Sequence, residues 1–269
     1  MVRLGRSGLD VFPLALGTNT FGWTADAETS QRILDAFVDA GGNLIDSADV
    51  YSIWVPGSSG GDSEAIIGQW LTATGARDTV LLTSKVSGHP QYPGLSAENI
   101  RSGIERTLGR MKTDYLDIYF AHNDDPATPL EESIAAFDEL VRRGVVRQVG
   151  LSNFSGERVQ QWIDIATATG AAVPTVLQPY YNLLTRHAFE TELRTVVERN
   201  ELGTMPYFGL GSAFLTGKYR KAADAEGVPR SQFMTAYLTD AGALLTSATL
   251  ELTPEQTERL TRVSDAFGG

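Results

Sequence analysis

Apolar positions along the chain fall into two alternating patterns. Short runs with little polar interruption occur at Val11 to Gly17, Leu44-Ile45, Val80 to Lys85, Tyr115 to Asn123, Val145 to Leu151, Val176 to Pro179 and Gly203 to Gly211. Runs of this kind predict strands buried on both faces. Between them the apolar residues recur at helical spacing. Ile33, Leu34, Phe37 and Val38 share one face, and Gly41-Gly42 supplies a stop after them. Ser63 to Leu71 predicts a second helix, followed by stripes at Ile100, Ile104, Leu108 and Met111, at Ile134, Phe137, Leu140 and Val141, and at Val159, Trp162, Ile163 and Ala166. Strands alternating with helices of this length predict a parallel α/β sheet, either a closed (β/α)8 barrel or an open doubly wound sheet. The first strand is not followed by a Gly-x-Gly-x-x-Gly turn, which disfavours the dinucleotide-binding open sheet. Leu4 to Leu9 predicts a small hairpin around Arg6-Ser7-Gly8 ahead of the first strand. There is no internal repeat, low-complexity segment or interdomain linker, so a single domain over residues 1–269 is expected.

Polar residues stand where several of these strands leave the core. Asn43-Leu-Ile-Asp-Ser-Ala-Asp-Val-Tyr51 puts Asp46 and Tyr51 just past a buried run, the next strand ends in Lys85, and the following one ends in His122. In a parallel barrel the C-terminal strand ends surround one mouth, where loops gather side chains from several strands. Each residue alone has an ordinary reading: Asp46 a cap, Lys85 a snorkelling strand-end residue, His122 a hydrogen-bonded core histidine. A metal reading of His122 with Asp124 and Asp125 is weak, because His89 and His187 follow no ligand spacing; no metal is expected.

Composition narrows the field. The formal charge of −11 argues against a nucleic-acid partner, and cysteine is absent, so disulfides and thiolate chemistry are excluded. No leader-like segment opens the chain and no apolar run approaches a membrane span, so a cytoplasmic protein without a membrane partner is expected.

Asp46, Tyr51, Lys85 and His122, in that order on successive strands, resemble the catalytic tetrad of the aldo-keto reductases. The resemblance extends to Leu4-Gly-Arg-Ser-Gly-Leu9, Leu16-Gly-Thr18, Gly150-Leu-Ser-Asn-Phe154, Gln178-Pro-Tyr-Tyr-Asn182 and Gly217-Lys-Tyr219, and so covers residues 4 to 220. It implies a (β/α)8 TIM barrel whose bottom the hairpin plugs, and reduction of a small-molecule aldehyde or ketone by a nicotinamide dinucleotide, usually NADPH, with NADH possible. Charge arguments give the four residues roles. Hydride addition to a carbonyl creates an alkoxide, which needs a proton donor, and Tyr51 is the candidate. The Lys85 ammonium is expected to lower the phenol's pKa, Asp46 to keep Lys85 charged, and His122 to orient the carbonyl oxygen. By resemblance, Ser152, Asn153 and Gln178 hold the carboxamide and Tyr207 stacks on the nicotinamide. Leu210, Ser212, Gly217 and Lys218 wrap the pyrophosphate. Trp23 and Trp54 line the substrate pocket. The same likeness leaves room for a second reading, a catalytically weak, dinucleotide-binding regulatory or sensor subunit of the same fold.

The C-terminal part departs from the family. Thr253-Pro-Glu-Gln256 has the capping pattern of a last helix, and only residues 220–252 precede it. Ser231 to Leu245 predicts a helix, which leaves the eighth strand-helix unit lacking, or replaced by Ala243 to Leu250. The family uses that unit to clamp the adenosine 2′-phosphate, so weak cofactor binding and poor discrimination between NADPH and NADH are expected.

Overall fold

The computed structural model describes residues 1–216, 222–228 and 231. A hairpin of β1 (Val2–Arg3) and β2 (Asp10–Val11) comes first, closed by a short 3-10 turn at Gly5–Ser7. Then follow β3 (Leu16–Gly17), α1 (Ala27–Asp39), β4 (Leu44–Asp46), α2 (Asp62–Thr74) and β5 (Leu81–Val86). A small hairpin, β6 (Gly88–His89) and β7 (Tyr92–Pro93), leads into α3 (Ala97–Met111) and β8 (Leu116–Ala121). The described elements continue with α4 (Leu130–Arg142), β9 (Val146–Ser152), α5 (Gly156–Thr169), β10 (Val176–Gln178), α6 (Arg194–Arg199) and β11 (Gly203–Thr204).

Helices α1, α3 and α5 begin where the sequence offers a cap. Asp26, Ser96 and Ser155 accept from the backbone N–H three residues on, at 2.8, 3.3 and 3.2 Å. These three and α4 bury the faces that their apolar spacing predicts: Leu34 and Phe37 on α1, Ile100, Ile104 and Met111 on α3, Ile134, Phe137 and Leu140 on α4, and Val159, Trp162 and Ile163 on α5.

Seven strands pair in parallel in the order β3-β4-β5-β8-β9-β10-β11, so every strand lies beside the one before it in the chain. The order never reverses, and a doubly wound sheet requires a reversal. Alternate residues of β8 face opposite ways. Ile118 and Phe120 join Leu44 of β4, Val176 of β10, Met205 and the hairpin's Leu4 and Val11 in one buried cluster. β4, β8 and β10 are not hydrogen-bonded neighbours, so their meeting requires a curved sheet that encloses its inner face, as in a barrel of βα units. The other face of β8 packs on helices, with Tyr119, Phe137 and Trp162 ring centroids 5.6 and 5.8 Å apart in sequence.

Two predicted strands are shorter than their apolar runs. Val11 is taken by the hairpin, pairing with Val2, and Phe12 donates to the Asn43 side chain at 2.8 Å, so the first sheet strand is only Leu16–Gly17. The run from Gly203 yields only Gly203–Thr204, because Pro206 lacks an N–H and Phe208, Gly211, Ser212 and Ala213 take positive φ, which an extended strand cannot accommodate.

By their internal contacts the chain forms two units, Met1–Pro179 with Glu190–Met205, and Tyr180–Phe189 with Pro206–Gly269. The sheet belongs entirely to the first. The predicted helix at Ser231 to Leu245, apart from Ser231 itself, the substitute strand and the last helix at Thr253 lie outside the described residues.

Candidate active site

The register of β4 against β5 builds the centre. Asp46, the last residue of β4, is level with Thr83, and Lys85 lies two residues further along β5 with its side chain on the same face. Lys85 is fully buried. Its Nζ lies 2.9 and 2.8 Å from the two Asp46 oxygens, 2.6 Å from the Ser47 carbonyl and 3.1 Å from the Tyr51 hydroxyl. An ammonium has three hydrogens, and three groups receive them. Asp46 Oδ1 also accepts from Thr83 Oγ1 at 2.6 Å and Gln178 Nε2 at 3.1 Å. Burial presses Lys85 to lose its proton, but Asp46 and then Tyr51 outweigh it and hold the pKa above the usual lysine value.

Tyr51 reaches this pair because β4 ends in a turn. Its N–H donates to the Ala48 carbonyl at 3.2 Å, and Ser52 follows at φ 74 with its hydroxyl on the Phe21 carbonyl at 2.6 Å. A chain of hydroxyls supports the turn from below: Ser47 to Ser63 at 3.0 Å, Ser63 to Thr18 at 2.6 Å, and Thr18 to the Asp46 carbonyl at 2.9 Å. Against the sequence expectation, the Tyr51 pKa is raised. Burial dominates, Lys85 pulls it down, and Asp46, paired with the same ammonium, cancels part of that pull.

His122 follows β8, with its N–H on the Val86 carbonyl at 2.8 Å and its ring 6.5 Å from that of Tyr51, at 74°. Nδ1 is buried without a hydrogen-bond partner among the described residues. Burial, then Lys85, lowers the imidazole to about 3, so the ring is neutral through the physiological range. Gly88 leaves room for it: a Cβ there would lie 2.8 Å from Nδ1. The rings of Trp54 and Trp23 lead away from Tyr51, Trp54 at 6.3 Å from Tyr51 and Trp23 at 5.7 Å from Trp54.

Ser152 and Gln178 end neighbouring strands in register, and the Ser152 hydroxyl donates to the Gln178 backbone carbonyl at 2.9 Å. Asn153, at φ 58, donates its amide to the His122 carbonyl at 2.8 Å. One amide side chain, Gln178, thus stands beside the Asp46 pair and another, Asn153, beside His122, groups of the kind that suit the acceptor and N–H of a nicotinamide carboxamide. Tyr207 belongs to the other unit. There its ring stacks on Tyr180, with centroids 5.2 Å apart at 16°, Leu210 is exposed, and Ser212 is buried. Gly217 and Lys218 lie outside the described residues.

Sequence reading missed the roles of Thr83 and Ser47 around Lys85. The period of two along β5 places Thr83 on the face of Lys85, so that signal was available. The Ser47 carbonyl had none, because any residue would supply it. Also missed was Asp49, whose carboxyl is buried inside the same turn.

Among the described residues no helix is long and apolar enough to cross a membrane. The sequence pattern of the Aldo/keto reductase family matches residues 13–264. A probable voltage-gated potassium channel subunit beta of Oryza sativa subsp. japonica is 34% identical over 224 residues, covering 81% of this chain and 66% of the relative. Protein tas of Escherichia coli K12 is 31% identical over 256 residues, covering 86% and 74%. The uncharacterized oxidoreductase YrpG of Bacillus subtilis is 35% identical over 228 residues, covering 81% and 69%. The chain therefore spans about two thirds of the length of the rice relative. With the family match running over nearly all its length, this chain belongs to the aldo/keto reductase family of oxidoreductases, whose fold is the (β/α)8 barrel.

Proposed function

We propose that the chain is an NADPH-dependent oxidoreductase that reduces an aldehyde or ketone to an alcohol, with Tyr51 as general acid. The observation that carries this reading is the 3.1 Å contact between the Tyr51 hydroxyl and a buried ammonium that Asp46 keeps charged. The dinucleotide, NADPH or alternatively NADH, would supply the hydride. Ser152, Asn153 and Gln178 would hold its carboxamide. Tyr207, Leu210, Ser212, Gly217 and Lys218 match the family positions for the ring and pyrophosphate. As charge develops on the carbonyl oxygen, Tyr51 passes its phenolic proton to it, and Lys85 stabilises the phenolate left behind. A raised phenol pKa keeps Tyr51 protonated and ready to donate before reaction. His122, neutral, can donate a hydrogen bond to the same oxygen without adding charge. Trp23 and Trp54 would line an apolar substrate site beside Tyr51.

Tyr51→Phe is expected to lower NADPH-dependent reduction of a generic aldehyde by ~10²-fold or more. NADPH binding, followed by tryptophan fluorescence, should stay within a few-fold of the parent. Retained reductase activity would overturn the assignment. The name of the rice relative favours one alternative, a regulatory or sensor subunit that turns over slowly. Steady-state turnover of the aldehyde by the parent, as opposed to a single turnover of bound NADPH, separates the two.

A further inference from the structure

Asp49 sits between Asp46 and Tyr51, and its carboxyl points away from the reaction centre into the contact between the sheet and helices α2 and α3. It is 3% exposed, and among the described residues neither oxygen has a well-formed hydrogen bond, the backbone N–H of Val50 being the one donor that acts on it. Its surroundings explain why. Glu64 of α2, fully buried, takes the nearby donors: Ser84 Oγ at 2.5 Å on one oxygen and Arg110 Nε at 2.6 Å on the other. Arg106 of α3 lies 3.9 Å over the Tyr92 ring and donates to Asn99. Tyr119 of β8 and Thr107 of α3 carry further buried hydroxyls with no hydrogen-bond partner among the described residues. The groups facing Asp49 are thus Glu64 from α2, Arg106 and Arg110 from α3, and Tyr119 from β8. His89 of the β6–β7 hairpin holds the following loop, beside Gly60, through the Ser59 carbonyl at 2.7 Å. Two carboxyls share one buried region, and the strong side-chain donors go to Glu64. Asp49 cannot become an anion there without a large desolvation cost.

We propose that Asp49 is a positioning residue for the reaction: its uncharged, buried carboxyl lets the turn between Asp46 and Tyr51 close against α2 and α3, and its ionisation opens that turn and draws Tyr51 away from Lys85. The mechanical link is short. The Asp49 N–H reaches the Lys85 carbonyl at 3.4 Å, already a long bond, and Gly60 is packed so closely that a Cβ would lie 2.9 Å from the Asp49 carbonyl and 2.9 Å from His89 Nε2. A carboxylate that moves out to find water must carry this backbone with it. Burial, followed by repulsion from Glu64, raises the Asp49 pKa to about 7, Arg110 and Arg106 offsetting part of the rise. The transition therefore falls in the physiological range.

The kinetic part rests on the reductase reading above, so the test has arms that do not need turnover. Full-length parent and Asp49→Asn, which keeps the shape without the ionisable proton, are compared from pH 4 to 9. The folded parent holds a proton that the unfolded chain releases near 4, so its stability falls as pH rises from about 4 to about 7 and then levels. The melting temperature of Asp49→Asn relative to the parent should climb over that window and plateau above it. A difference constant with pH would overturn the proposal. Tryptophan fluorescence, with Trp54 beside Tyr51, should show a transition near pH 7 in the parent and none in Asp49→Asn; the same transition in both would also overturn it. In turnover, the parent's kcat for NADPH-dependent aldehyde reduction should fall about tenfold per pH unit above 7, a limb missing from Asp49→Asn. An unchanged profile in the variant would refute the coupling to Tyr51. Should neither protein turn over, the reductase reading fails while the melting and fluorescence arms still decide on Asp49. Should Asp49→Asn not fold, Glu64→Gln is expected to move the parent's fluorescence transition to lower pH, and an unmoved transition would overturn the proposal.

Discussion

Lys85 keeps a full charge in a place closed to water only because Asp46, Ser47 and Tyr51 receive its three hydrogens. Lys85→Met would leave Asp46 buried with Thr83 and Gln178 as its remaining donors. Breaking a buried pair in this way costs about 3–5 kcal/mol, so a lower denaturant midpoint should accompany loss of reduction; a variant of parental stability would mean the pair is better solvated than its geometry indicates. His122 adds a pH dependence of its own. Its pKa is lowered to about 3, so below about 6.5 the unfolded chain binds a proton that the folded chain refuses, and stability should fall as pH drops from 6.5 toward 3. His122→Asn should lose that part of the acid sensitivity, read as a smaller change in melting temperature over the same range. Gly88→Ala would press a methyl to within 2.8 Å of Nδ1. A shifted imidazole is the expected result, seen as a lower kcat with little change in NADPH affinity. The placement of the four strand-end residues was legible in the sequence because a polar residue after an apolar run is a local signal. The direction of the Tyr51 shift was not, because it depends on how deeply the ring is buried and on Asp46 sharing the same ammonium.

At the level of elements, α2 shows where pattern reading stops short. Ser63 to Leu71 was expected and Asp62–Thr74 is found; the helix starts after Gly61 at φ 81, which offers no capping side chain to recognise. Its Gly68 abuts the end of α3, where an added Cβ would lie 2.1 Å from the Arg110 carbonyl. Helix propensity favours Gly68→Ala, yet overpacking of this kind costs about 1–3 kcal/mol, and we expect a net loss of stability in urea unfolding. A stabilised variant would show that α3 can yield. The long helices were readable because their apolar stripes repeat over several turns. β3 and β11 were overextended because an apolar run marks burial, and burial here continues beyond the sheet strands, into Val11, which pairs in the hairpin instead, and into Met205. The β6–β7 hairpin was missed because strands of two residues carry no periodicity.

At the scale of the whole molecule, the end of the sheet opposite the candidate site is tied by charge. Buried Asp117 receives Arg77 at 2.9 Å and Arg147 at 2.8 Å, and both guanidiniums lie over the Tyr115 ring, at 3.7 and 4.1 Å. Asp117 also accepts from the Leu82 N–H at 2.9 Å, so one carboxylate links β5, β8 and β9. Asp117→Ala should lower stability by about 3–5 kcal/mol without altering KM, and a change in KM would mean the two ends of the sheet communicate. Sequence reading gave the family and the barrel, because βα alternation is a global pattern. It could not reveal Asp117, which reads there as one more polar residue in a strand. The short stretch 220–252 leads to a separate expectation: NADPH binding weaker than micromolar with little preference over NADH, measured by fluorescence titration after intact mass has verified the chain's length. Submicromolar, strongly NADPH-selective binding would refute it.

The strictly consecutive strand order has a temporal side. Asp46, Tyr51, Lys85 and His122 all precede residue 123, whereas Ser152, Asn153 and Gln178 arrive with β9 and β10. Domains are made from the N-terminus at ~5–20 residues per second. A nascent chain therefore emerges with the Asp46–Lys85–Tyr51 cluster and His122 several seconds before the amides. For that interval β8 is an open edge, with Phe120 and Tyr119 unsheltered and Asp46 lacking its bond from Gln178. Slow or stalled translation between residues 123 and 146 would extend the period in which ribosome-bound chains can stick to one another, so synonymous changes there should affect soluble yield more than the same changes after residue 178.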